Sequence, residues 1–212
     1  MLETRLHREA EWGSSTAMQQ TRRGRSGDGE GRAPRLRANA TVLISPHPSL
    51  VGQIAMATWK LPAKAKIYEA LSAIADGRVE LKTDTRADVT SSDGDKAYIV
   101  MWSPDKSQTI SNDNGSYYQG YLGYPIVAVL MTLGEIRFDQ EVVRDLAGIQ
   151  WKLINKKFKN NYDNAVEFVL DKLREKGTDV TRIRDHADLI WSELKGKEFN
   201  RLPLRIPPPT ER

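Results

Sequence analysis

The stretch from Ser111 to Tyr124 concentrates side chains of the kind that bind ligands. It combines amide, hydroxyl and carboxylate groups with four tyrosines and three glycines. Tyrosine offers a flat apolar face with a polar tip, and glycine lets the backbone approach a ligand closely. The stretch therefore predicts a small-molecule or partner surface, with or without catalysis, formed by Asn112, Asp113, Asn114, Tyr117, Tyr118 and Tyr121. The alternative is structural: the tyrosines pack over a neighbouring helix while the Asn and Asp side chains bind turn backbone.

The same stretch does not fit a known ion or phosphate loop. With Gly115 as the invariant glycine of a calcium loop, position 1 is Ile110 and position 12 is Tyr121, and neither side chain binds calcium as that loop requires. The Gly120–Gly123 spacing matches no dinucleotide or nucleoside triphosphate motif. The chain has no cysteine, and His186 is its only histidine after residue 55. We therefore expect no metal site and no cofactor, and the pattern identifies no catalytic residue.

Residues 139–159 form a second candidate, because two short helical stretches joined at Gly148 resemble a helix-turn-helix. In that motif the second helix enters the major groove, where amides contact bases and lysines contact phosphates. One departure is Arg144, at a position where the motif usually has a small residue. A solvated lysine face on an ordinary helical corner is the alternative. The resemblance implies a nucleic-acid-binding face, its lysines on one side of the helix, that consists of Gln150, Lys152, Asn155, Lys156 and Lys159.

The composition changes near residue 55. Residues 1–55 hold eight arginines, no lysine and little apolar periodicity, which predicts a disordered or non-native N-terminal extension. From Met56 onward, 24 basic residues face 23 acidic ones, so charge alone does not favour nucleic acid as a partner. No run of about 18 apolar residues is present, and we expect a cytoplasmic protein without a membrane segment.

The elements that must position these candidates follow from periodicity. Apolar spacing predicts a helix after Pro62, and alternation predicts a short strand near 79–82. β-Branched and aromatic residues predict a strand at 97–102, with 87–90 as a candidate hairpin partner. Residues 104–123 have no period and predict a long loop, whereas 126–131 are apolar on every side and predict a buried central helix. Four further helices are expected between residues 140 and 194.

Together these patterns predict an α+β fold, mostly helical, with a small antiparallel sheet near residues 79–102 and a C-terminal helical bundle. We expect one globular domain over residues 56–200 and a proline-rich tail over 201–212. The leading functional hypothesis is a nucleic-acid-binding or regulatory protein that uses residues 139–159. The alternative is a protein that binds a small ligand, a protein partner or a second copy of itself through residues 111–124.

Overall fold

The structure, a computed structural model, describes residues 57–210. The predicted extension over residues 1–55, Met56 and residues 211–212 lie outside the described residues. Within residues 57–210 the helices are α1 (Ala65–Ala75), α2 (Tyr124–Thr132), α3 (Gln140–Asp145), α4 (Trp151–Lys157), α5 (Tyr162–Glu175) and α6 (Val180–Lys195). The strands are β1 (Val79–Thr83), β2 (Arg86–Thr90), β3 (Ala97–Trp102), β4 (Gln108–Ser111) and β5 (Asn200–Arg201).

The strands of the described region form one sheet in the order β1-β2-β3-β4-β5. The first four are antiparallel to their neighbours, and β5 runs parallel to β4. Ala87 and Val89 of β2 and Val100 of β3 face the core, as alternation along a half-buried strand requires. The predicted sheet over residues 79–102 is confirmed by β1, β2 and β3, but the sheet extends further, to one more antiparallel strand and one parallel strand.

The prediction of a long loop over residues 104–123 is wrong. This interval contains β4 and a π-helical turn, Gly115–Gln119. Strand β4 escaped prediction because its buried side chains include Thr109 and Ser111, which do not produce an apolar pattern. The buried hydroxyl of Thr109 has a hydrogen-bond partner in the indole of Trp59, whose Nε1 donates to Thr109 Oγ1 at 3.1 Å.

Helix α2 lies at the centre of the domain. Its residues from Pro125 to Met131 are buried, as expected for a helix that is apolar on every side. Helix α1 packs against it on one side, and strands β1, β3 and β4 pack against it on the other. The predicted central helix is thus confirmed.

The C-terminal part is helical, and polar side chains cap three of its helices. Asp139, Asn161 and Asp179 each accept a hydrogen bond from a backbone N–H in the first turn of α3, α5 and α6, respectively. Helix α6 buries Ile183 and Ile190 on its inner face. The protein has an α+β fold that is mostly helical, as predicted. Within residues 57–210, no helix has the length and apolarity needed to cross a membrane.

The segment after β5, part of the predicted proline-rich tail, lies against β4 and the residues that follow it. Leu202 N donates to Thr109 O at 2.8 Å, and Asn112 Nδ2 donates to Pro207 O at 3.0 Å. The guanidinium of Arg205 donates to the Tyr117 hydroxyl at 2.8 Å. The last two contacts hold one side of the 112–117 segment.

We expect the substitution Val129→Asp to destabilise the protein by about 4 kcal/mol or more, because it places a carboxylate in the buried centre of α2. Leu189→Asp is the matched control, since Leu189 of α6 is 69% exposed. Urea denaturation followed by circular dichroism measures both variants. A Val129→Asp protein that melts like the Leu189→Asp protein would contradict the central position of α2.

His186 joins α6 to the start of α3. Its Nε2 accepts a hydrogen bond from the Asp139 backbone N–H at 2.9 Å, so the imidazole must be neutral to make this contact. Burial lowers the pKa of His186, the nearby Asp139 carboxylate acts in the opposite direction, and the Arg182 guanidinium lowers the pKa again. Arg182 also binds Asp139 and Glu141, which completes the charged surroundings of the imidazole. The net result is a pKa below the usual histidine value.

Stability should therefore fall as the pH decreases from about 7.5 to about 5.5. The folded protein binds the His186 proton less tightly than the unfolded chain, so unfolding takes up a proton in this window and acid favours the unfolded chain. His186→Gln keeps an acceptor for Asp139 N–H but does not titrate. Chemical denaturation across this pH range should give a shallower dependence for His186→Gln, and equal slopes would show that His186 is not the responsible group.

Candidate functional site

A cleft of about 920 Å³ brings both sequence candidates together. Its walls are formed by α1 with residues 61–63, the turn at 91–96, Tyr98 of β3, the segment 113–124, and α4 with residues 160–162. The cleft is large enough for a drug-sized ligand. The two surfaces that the sequence presented as separate alternatives thus both contribute to the walls of one cavity.

Six of the eleven predicted site residues line the cleft, three from each candidate: Asp113, Asn114, Tyr121, Lys152, Asn155 and Lys156. The other five lie elsewhere: Asn112, Tyr117, Tyr118, Gln150 and Lys159. Asn112 is buried in the fold, where its Oδ1 accepts from Ile99 N at 2.7 Å. Tyr117 contacts Arg205 of the C-terminal segment, and Tyr118 is 71% exposed.

The predicted lysine face of α4 is not formed as expected. The helix ends at Lys157, and Lys159 follows it in a left-handed backbone conformation with φ of 52°. Lys152 pairs with Asp93 at 2.5 Å and with Asp95 at 3.3 Å. Lys159 therefore does not share a helical face with Lys152, whose charge is already paired within the domain.

The helix-turn-helix resemblance extends to packing only in part, since Val143 of α3 is buried as the motif requires. Gly148 joins α3 and α4 with a φ of 73°, as the pattern predicted. Ala147, however, is exposed, although the motif would bury this position, and Trp151 at the start of α4 is buried in the core. The amide of Asn155, expected to face DNA bases, donates instead to Glu69 Oε1 on α1 at 2.9 Å. Helix α4 is therefore used as a wall of the cleft.

A local hydrogen-bond network explains why the 111–123 segment contains Asp113, Ser116 and Gly123. The Asp113 carboxylate accepts from Ser116 N at 3.1 Å and from Ser116 Oγ at 2.6 Å. Ser116 Oγ in turn accepts from Gly123 N at 3.2 Å. A Cβ at Gly123 would lie 2.4 Å from Asp113 Oδ2, so glycine is required where this carboxylate meets the start of α2. Asp113 thus binds turn backbone, as the structural alternative predicted, and it also lines the cleft.

A partly buried cation, Lys66, lies on the α1 side of the cleft. Lys66 Nζ donates to Glu69 Oε1 at 2.7 Å and lies 4.2 Å from the centre of the Tyr162 ring. Burial lowers the pKa of Lys66, but the carboxylate of Glu69 more than offsets this effect, and the pKa is raised overall. Lys66 therefore stays positively charged at neutral pH and is unsuited to act as a nucleophile.

Two tyrosines form an aromatic corner inside the cleft. The rings of Tyr98 and Tyr124 meet edge to face, with centroids 6.1 Å apart and an interplanar angle of 89°. Burial raises the pKa of both hydroxyls, and that of Tyr124 lies well above its ordinary value. Both hydroxyls therefore remain protonated at neutral pH and are available as hydrogen-bond donors.

Unpartnered polar atoms are concentrated around the cleft. Four buried side-chain atoms of the described region lack a hydrogen-bond partner: Ser72 Oγ, Arg78 Nη2, Trp151 Nε1 and Asn155 Oδ1. The last three belong to residues that line the cleft. A buried polar atom without a partner costs about 1–3 kcal/mol. Such groups call for an explanation, and a ligand or a water molecule in the cleft provides one.

The comparison with known proteins identifies a family but no activity. Residues 59–200 match the family described as Uncharacterised conserved protein UCP014422. The chain belongs to this family. No curated protein and no solved structure matches the chain. All residues that line the cleft lie within the part of the chain that matches the family.

Sequence reasoning missed several residues of this family member's cleft, notably Lys66, Glu69, Arg78, Tyr98 and Tyr162. One signal was present: Glu69 interrupts the apolar stretch of α1 and is only 4% exposed. A carboxylate on a buried helical face requires partners, and Lys66 three residues earlier is one of them. Arg78 carried no comparable signal, because it follows Gly77 in a turn.

We expect Gly123→Ala to destabilise this protein by about 1–3 kcal/mol, because the new methyl group would break the Asp113–Ser116 hydrogen bonds. Gly196→Ala is a suitable control, since its Cβ would meet the nearest backbone atom at an ordinary 3.5 Å. Thermal and urea unfolding measure both. Equal stability of the two variants would show that the Asp113 carboxylate moves aside at little cost.

Proposed function

We propose that this protein binds a small molecule with a planar ring in the cleft. The observation that supports this is the lining itself: a cavity of about 920 Å³ in which aromatic rings converge with polar side chains. Planar rings bind against such faces by stacking or by edge contacts. The aromatic residues concerned are Tyr98, Tyr121, Tyr124, Trp151 and Tyr162.

The proposal corresponds to the second of the two sequence hypotheses and gives a different role to the residues of the first. Lys152 and Asn155 were candidates for contacts with DNA, but each is engaged within the domain, with Asp93 and Glu69 respectively. Their partners position them in the cleft wall. Nucleic-acid binding through residues 139–159 therefore becomes the competing outcome of the experiment.

The test is mapping of ¹⁵N–¹H chemical shifts in the full chain with three neutral ring probes: benzyl alcohol, indole and adenine. We expect at least one probe to shift the amide signals of cleft residues, such as Glu69, Tyr98 and Asn155, rather than signals scattered over the surface. Shifts that avoid the cleft for all three probes would contradict the proposal.

Two tyrosine variants sharpen the test. Tyr98→Leu removes a ring from the cleft, whereas Tyr118→Leu removes an exposed ring outside it. We expect Tyr98→Leu to weaken probe binding about 3- to 10-fold, since an aromatic contact contributes about 0.5–1.5 kcal/mol beyond its buried area. Tyr118→Leu should leave binding unchanged.

A duplex DNA of random sequence serves as the competing ligand. Binding of DNA that shifts Gln150, Lys156 and Lys159, and that weakens steeply with salt, would favour the nucleic-acid hypothesis instead. We expect no such shifts at low salt.

A further inference from the structure

Arg78 presents an unused edge of its guanidinium beside the cleft. Its side chain is only 10% exposed. Nε donates to Asp76 Oδ2 at 3.0 Å, and Nη1 donates to Thr90 O at 2.9 Å. Nη2 is buried and has no acceptor, although the residue lines the cleft. A guanidinium held from two sides, with one N–H group to spare, suits an oxyanion as its further partner.

A second unpartnered donor in the cleft lining also favours an acceptor group as the ligand. The indole N–H of Trp151, which also lines the cleft, is buried without an acceptor. Both unsatisfied N–H groups therefore call for an acceptor, and neither would be satisfied by a cation or by another donor. Lys156 lines the same cleft and adds positive charge to it.

The acidic groups around the cleft are occupied. Asp76 lies behind Arg78 and holds Nε, and Asp93 and Asp95 pair with Lys152. Of the two carboxylates in the lining, Glu69 binds Lys66 and Asn155, and Asp113 binds Ser116. The negative charges are thus engaged in contacts within the protein, and none of these contacts uses Nη2.

We propose that the ring-bearing ligand carries a carboxylate or a phosphate group, and that Arg78 binds this group through Nη2. The inference rests on the proposed function, because it concerns the ligand of the same cleft. Since Nη2 has almost no accessible surface, the guanidinium must turn slightly toward the cleft as the oxyanion enters. Arg78 then determines which ring compounds bind, and the aromatic walls hold the ring.

The experiment compares matched neutral and anionic probes on the full chain by ¹⁵N–¹H shift titration. The pairs are benzyl alcohol with benzyl phosphate and adenosine with adenosine monophosphate, and phenylacetate provides the carboxylate. We expect an anionic probe to bind about tenfold or more tightly than its neutral counterpart, the gain of one hydrogen bond to a charged group. The tighter of benzyl phosphate and phenylacetate identifies the oxyanion.

Arg78→Lys keeps the charge but loses the planar fork, and Arg86→Lys is its control on β2, where Arg86 binds Asp88 outside the cleft. We expect Arg78→Lys to reduce the anionic preference to about threefold or less while the affinity for the neutral probe changes less than twofold. Arg86→Lys should keep the full preference. If Arg78→Lys does not fold, the Arg78 Nε–Hε signal of the unmodified protein decides: benzyl phosphate or phenylacetate should shift it and benzyl alcohol should not.

Failure of this inference differs from failure of the proposed function. Neutral and anionic probes that bind the cleft equally well, with an unmoved Arg78 signal, would overturn the oxyanion contact and leave ring binding intact. Absence of binding by every probe would overturn both. An anionic preference that survives in Arg78→Lys at full size would assign the oxyanion to another cation of the cleft and refute the role of Arg78.

Discussion

Burial of α2 from Pro125 to Met131 is the constraint on which the remaining architecture depends. A helix with apolar residues on every side must be covered all round, because each side left in water would forfeit the free energy of burying it. Helix α1 covers one side, and the sheet covers the other through β1, β3 and β4. The cleft lies where these elements meet, since α1, β3 and the start of α2 all contribute residues to its lining.

The start of α2 is linked to the cleft by one carboxylate. Asp113 lies against Gly123, the residue that precedes the helix, and is held there through Ser116. A negative charge at this end of a helix is favoured by the backbone dipoles. The same side chain lines the cleft, so the stability of the core and the shape of the cavity are coupled at this point.

Polar contacts at the cleft wall join α4 to two other elements. Lys152 of α4 binds Asp93 in the turn between β2 and β3, and Asn155 of the same helix binds Glu69 of α1. These contacts fix a short helix that has few buried residues of its own. Removing a polar group from water is unfavourable unless the group finds a hydrogen-bond partner in the protein. Three buried atoms of residues that line the cleft have no such partner. These unpartnered atoms favour the cleft, rather than another surface, as the place where a ligand binds.

The sequence by itself determined the elements whose signal is local. Apolar spacing located α1, α5 and α6, uninterrupted apolar residues identified α2, and β-branched and aromatic residues identified β3. Strand β4 could not be predicted in this way, because the burial of Thr109 depends on Trp59, fifty positions earlier in the chain. The cleft could not be predicted for the same reason. Asn155 binds Glu69 across 86 positions, and no periodic pattern in the sequence indicates such a pair. Periodicity reports which face of an element avoids water, whereas the tertiary structure alone decides which polar faces meet, and here it joined two candidate surfaces into one cavity.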